Sequence, residues 1–217
     1  MKYGESTFDI LYLVLVILWG CQILKKARNK TERLMGTSAL VLGIGDAFHL
    51  VPRVLNYFIE ADFSAALGIG KLVTSITMTL FYVLVYYIWI GYYKKTEDKR
   101  LTCFVWALTA LRVIICLFPQ NGWLTNEGGV LWGILRNIPF TALGCLVVAL
   151  YYGTRNETKH FRFVWLYITL SFLFYLPVAV GASLVPMLGM LMLPKTVCYL
   201  LLVWTFRAAT NDEPRGI

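Results

Sequence analysis

The stretch GIGDAFHLVPRVLNYF, residues 43 to 58, places Asp46, His49 and Arg53 within eight residues of an otherwise apolar segment. A carboxylate and an imidazole one helical turn apart are groups that exchange protons, and a guanidinium one turn further on is a fixed charge suited to a phosphate or carboxylate. At about 100° per residue the three fall within an arc of about 60°, with Ser38 and Asn56 on the same side, so a helix here carries one polar stripe. Further charges stand in equally apolar surroundings: Lys71, Arg112, Arg136 beside Asn137, and Lys195.

A charge in hydrocarbon costs about 2.5 to 3.5 kcal/mol on insertion scales, so each of these residues marks a candidate site. On this count five cations, Arg53, Lys71, Arg112, Arg136 and Lys195, face a single carboxylate, Asp46. The surplus asks for an anion, which guanidinium and ammonium groups bind well. An amphiphile with an anionic head and an acyl tail satisfies both the charges and the surrounding hydrocarbon. The candidate catalytic residues are therefore Asp46 as acid and His49 as the group that positions water. Arg53, Lys71, Arg112, Arg136, Asn137 and Lys195 are the candidate ligand-binding residues.

Plainer roles compete with each of these. Asp46 also reads as a buried ion pair with Lys195 or Arg112, Lys71 as a lysine snorkelling to the interface, and His49 as a hydrogen-bonded core residue. The run FYVLVYYIWIGYY reads as core and interfacial belt rather than a cofactor box. Pro52, Pro139, Pro177 and Pro194 each remove a helix donor, and three of them stand at or near a charge. No second His or Cys stands at metal spacing, and Cys21, Cys103, Cys116, Cys145 and Cys198 are scattered, so neither a metal nor a cofactor is expected. Lys195 in a last helix with Asp46 as counter-ion suits a retinal Schiff base, but its surroundings do not resemble a rhodopsin pattern.

The elements that must position these residues are membrane helices. The 217 residues are 59% hydrophobic and 15% charged, and mean hydropathy is +0.66, too apolar for a globule with a polar shell. Seven apolar stretches, near residues 8–24, 34–58, 67–92, 101–118, 129–152, 163–185 and 187–206, are each long enough to cross about 30 Å of hydrocarbon. The fold class is all-α, a single seven-helix domain, with the last two spans forming a tight hairpin around Pro186. Fourteen of the twenty Lys and Arg gather on one side: residues 25–33, 94–100 and 155–162, with Arg207 and Arg215 in the tail. The positive-inside rule makes that side cytoplasmic, the N-terminus external and the protein a multi-pass cell-membrane protein. Glu60, Asp62 and Glu127 fall on the opposite side. The net charge of +8 is thus a topology signal, and no nucleic-acid partner is expected. No signal peptide is read at the start of the chain, and the sequon at 156–158 falls on the cytoplasmic side.

The runs SALVLGIGDAFHLVPRV and FSAALGIGKLVTSITMTLFYVLVY resemble the paired helices of the lysoplasmalogenase (YhhN-like) family, and LPKTVCYLLLVWTF is similar to its last helix. The resemblance covers about a third of the chain. It implies a membrane hydrolase that cleaves the vinyl-ether bond of lysoplasmalogens with intramembrane carboxylates, and Asp46 matches the family's first Asp. Where a second Ser-Asp is expected this chain has LSFLFYLP, residues 170 to 177, which keeps Ser171 without the Asp. The family also has eight spans. GKLVTSI and PKTVCYL, each opening with Lys at the outer end, suggest a parallel 3+1+3 repeat of the kind found in carriers. Three functions follow: a lipid-head-group enzyme acting on a membrane amphiphile, a carrier of a small anionic metabolite, and a sensor that binds an anion without reaction. Nothing in the loops identifies a protein partner.

Overall fold

The computed structural model describes residues 2–126, 128–181 and 185–212. Glu127 and Arg215, placed above on the acidic and basic sides, lie outside these residues. Among the described residues there are seven α-helices and no strand: α1 (Lys2–Lys26), α2 (Lys30–Phe58), α3 (Ser64–Tyr92), α4 (Lys99–Leu117), α5 (Val130–Gly153), α6 (Val164–Gly181) and α7 (Met192–Asp212). All seven are long and apolar enough to cross a membrane, so the chain is a multi-pass membrane protein by the physical criteria of length and composition.

Local chemistry fixes where the helices begin. Asn29 caps α2 by accepting from the Glu32 N–H (2.8 Å), while the Glu32 carboxylate accepts from the Arg28 N–H (2.7 Å), a reciprocal arrangement that satisfies donors at the helix start. Asp98 accepts from the Arg100 N–H (2.9 Å) at the start of α4. Asp62 does the same for Ser64 ahead of α3 (2.9 Å), and bonds from the Ser64 hydroxyl and backbone hold its carboxyl below its ordinary value. This contribution is present above the unfolded carboxylate pKa and is lost as pH falls through the lower folded value.

The helices form a ring in chain order, with α1 also packed on α7 and α3 reaching across to α5. Two differences from the sequence reading matter. α1 starts at Lys2, six residues earlier than expected, and so adds Glu5 and Ser6 to the bundle ahead of Asp9. The seventh span, Met187–Asn211, is not α-helical throughout: a 3-10 segment, Pro186–Leu191, precedes α7. Pro186 and Pro194 stand in the first turn of the 3-10 segment and of α7, where a helix needs no backbone N–H.

α2 and α3 approach each other through glycine. A Cβ at Gly70 would lie 2.8 Å from His49 Cα and would also meet the Phe48 carbonyl, and a Cβ at Gly45 would collide with Thr77. The core runs along α3, where Phe81, Tyr82, Val85, Tyr86 and Ile88 are fully buried. Tyr82 packs edge-on against Phe140 and places its hydroxyl 3.3 Å from Ser171 Oγ, so the aromatic run is core. Ile10, Val14, Leu18, Ile44, Phe48 and Phe104 are exposed, as a lipid-facing surface requires.

The basic segments meet at one end of the bundle: Lys26 Nζ donates to Asn211 Oδ1 (2.8 Å), and Lys95 pairs with Glu157 (3.0 Å). The connections α2–α3, α4–α5 and α6–α7 lie at the other end, together with the candidate site.

Candidate functional site

At that second end lies a cavity of about 500 Å³, walled by α2, α3, α5, α6 and α7 and by the 121–129 connection. Six of the eight candidate residues line it: His49, Arg53, Lys71, Arg136, Asn137 and Lys195. Asp46 and Arg112 are not on its wall.

The cations differ in what holds them. Lys71 Nζ donates to Asn126 Oδ1 (2.7 Å), and Arg136 Nη1 donates to Asn121 Oδ1 (3.0 Å) while its guanidinium lies 4.7 Å from the Trp123 ring centre. Amide oxygens orient these groups without neutralising them. Lys195, 8% exposed, has Nζ 4.6 Å from the Tyr175 ring centre and 5.5 Å from that of Tyr199. Such contacts are worth about 2 kcal/mol where water is excluded, less than a full counter-charge. Asn137 donates to the Gly133 carbonyl (2.8 Å) and accepts from the Tyr175 hydroxyl (2.7 Å), which fixes both side chains at the inner wall. The interior proline at 139 leaves the carbonyl of residue 135 without its usual donor in this same turn of α5. His49 Nδ1 is buried without a partner.

Arg53 is neutralised, and its partner corrects the sequence reading. Glu5 of α1 pairs with Arg53 Nη2 and accepts from the Tyr57 hydroxyl (3.0 Å). One turn on, Asp9 is 4% exposed, and Oδ2 has no hydrogen-bond partner. Tyr12, another turn along, donates to Asp46 Oδ2 (2.6 Å). Asp46 is thus not the single carboxylate within the bundle. Glu5, Asp9 and Tyr12 form a stripe at i, i+4 and i+7 that meets the Asp46, Arg53 and Tyr57 stripe of antiparallel α2. The spacing is a signal in the sequence, but Glu5 precedes the apolar run that marks the first span, and only Asp9 and Tyr12 lie within it.

Neither cation offered as an ion-pair partner for Asp46 takes that place. Arg112 is 2% exposed and stacks over Phe140, 3.5 Å from the ring centre, with Nε and Nη1 unpartnered. Lys195 lies within electrostatic reach of Asp46 but forms no ion pair with it among the described residues. No cluster of three or more His, Cys, Asp or Glu able to hold a metal occurs among the described residues. Chemically, the arrangement offers fixed positive charge and hydrogen-bond donors on a half-apolar wall, with an acidic seam behind α2. The chain matches no known family model, no curated protein and no solved structure.

Proposed function

We propose that this multi-pass protein lies in the cell membrane with its N-terminus outside and its cavity opening outwards, and that the cavity binds an anionic, phospholipid-like amphiphile. The gathering of Lys and Arg at the opposite end supports this orientation through the positive-inside rule. One observation carries the ligand class. Lys71, Arg136 and Lys195 share one cavity wall, and their contacts are amide oxygens and aromatic rings rather than carboxylates. Three pre-oriented charges, Lys71 and Arg136 at the rim and Lys195 deeper with Asp46 within electrostatic reach, form a receptor for a phosphate or carboxylate head. The volume suits a head group, leaving the tail to the apolar flank.

The resemblance to YhhN-like proteins adds a reaction, cleavage of a lysoplasmalogen's vinyl ether. Asp46 and Asp9 together supply the two carboxylates such chemistry uses, yet neither is on the cavity wall, whereas His49 is. Binding is the part the geometry supports best, and turnover by wild type but not Asp46→Asn would add the reaction. The carrier alternative has one feature in its favour, a second cavity of about 450 Å³ at the basic end, near Glu32 and Lys94. Phe81, Tyr82, Val85 and Tyr86 lie between the two along α3 with no exposure, so passage would require these rings to part.

Native mass spectrometry of protein released gently from membranes tests the binding reading. Wild type should retain an anionic amphiphile, and Lys71→Gln/Arg136→Gln should lose it while keeping its fold. Retention of only neutral or cationic lipid by wild type would overturn the proposal.

A further inference from the structure

The charge balance around the cavity narrows the ligand further, on the premise that the cavity binds an anionic amphiphile. Arg53 is neutralised by Glu5. Lys195 has Asp46 within electrostatic reach. Lys71 and Arg136 at the rim are held by neutral amides. One level deeper stands Arg112. Its base, Phe140, is one turn beyond Asn137 on α5 and meets Tyr175 edge-on (5.9 Å), so Arg112 lies just behind the inner wall formed by Asn137 and Tyr175.

Arg112 cannot escape its charge, because a guanidinium stays protonated at any ordinary pH. Its burial is almost complete and two of its N–H-bearing nitrogens have no acceptor. Its side chain is hydrogen-bonded to Cys116, and the groups within its electrostatic reach are Tyr175, Cys116, Tyr82 and the like charges of Arg136 and Lys195, with no carboxylate among them. Positive charge therefore sits at two depths, Lys71 and Arg136 outside, Arg112 and Lys195 inside. A single negative charge leaves at least one of these centres uncompensated.

We propose that the cavity selects an amphiphile whose head carries two negative charges, a phosphomonoester rather than a phosphodiester. A phosphomonoester carries about −1.5 to −2 at pH 7, with a second pKa of about 6, whereas a diester carries one charge and has no second proton to lose. The monoester also presents three terminal oxygens, enough to meet the rim cations and Lys195 together, while Arg112 acts on the head group as a fixed charge from behind the wall.

The test is a calorimetric titration of full-length protein in a neutral detergent at pH 7.5 with four probes. They are a monoacylglycerol 3-phosphate, its methyl phosphodiester with the same chain, the uncharged monoacylglycerol, and glycerol 3-phosphate without a chain. The monoester should bind at least about tenfold tighter than the diester, the factor that one further charge-assisted hydrogen bond supplies. This advantage should shrink at pH 5.5, where the monoester takes up its second proton. Arg112→Met should remove the advantage while leaving diester binding in place, and Arg112→Gln provides the second variant if Arg112→Met does not fold. Equal affinity for monoester and diester, or a monoester advantage indifferent to both variants, overturns the inference and leaves the anion reading standing. Equal binding of the uncharged monoacylglycerol overturns the anion reading itself. Binding of glycerol 3-phosphate as tight as that of the acylated monoester would identify a water-soluble phosphate as the ligand and overturn the amphiphile.

Discussion

Asp46 shows how one residue's partners decide its chemistry. Its oxygen accepts from Tyr12, whose hydroxyl is otherwise shut away from water. Asp46→Asn keeps an acceptor and should change stability by less than about 1 kcal/mol, whereas Asp46→Leu strands the Tyr12 hydroxyl and should cost about 1–3 kcal/mol. Thermal unfolding in detergent separates the two. A loss of about 3–5 kcal/mol for the Asn variant would instead reveal a buried ion pair. Arg53 responds differently. Glu5→Gln should destabilise by about 1–3 kcal/mol, between the limits for exposed and buried pairs, because the pair is partly exposed. The same change frees Arg53 to face the cavity, so it should tighten anion binding severalfold in the titration. Arg53 was legible as a cation in hydrocarbon. Its neutraliser was not legible, because Glu5 precedes the apolar run that marks the first span and Asp9 stands alone within it. The four-residue and seven-residue spacing from Glu5 to Asp9 and Tyr12 is the same kind of signal that exposed the stripe on α2.

At the scale of elements, the contact between α2 and α3 brings His49 and Lys71 to one cavity, and it depends on the absence of side chains at Gly45 and Gly70. Gly70→Ala should separate the helices and cost about 1–3 kcal/mol of stability through overpacking, with a loss of ligand affinity that thermal and binding assays read together. The helices themselves were legible, since apolar runs of membrane length leave few alternatives, and all seven expected spans overlap an observed helix. The start of α7 was not. An apolar run marks a span without saying how its backbone winds, and the first residues of this one wind as a 3-10 segment. Nor does sequence spacing give the rotation of one helix against another, so Asp46 and Arg112 were grouped with residues whose side chains reach the cavity.

For the whole molecule, charge is divided between two ends. One carries the Lys and Arg of the connections; the other carries the cavity, whose cations run from exposed Lys71 at the rim to buried Lys195. Glu97→Cys should react with an impermeant thiol reagent only after cells are opened, and Thr125→Cys should react in intact cells, both in a cysteine-free background. The reverse pattern would turn the protein over and give the cavity a cytoplasmic mouth. The central claim, that the cavity cations share one anionic head group, is tested most directly by a high-resolution structure of the protein in bilayers containing anionic amphiphile. The account predicts phosphate density within hydrogen-bond distance of Arg136 and Lys195, with the acyl chain leaving through the apolar flank. A cavity holding only water, with Lys71, Arg136 and Lys195 turned to separate protein partners, would contradict it.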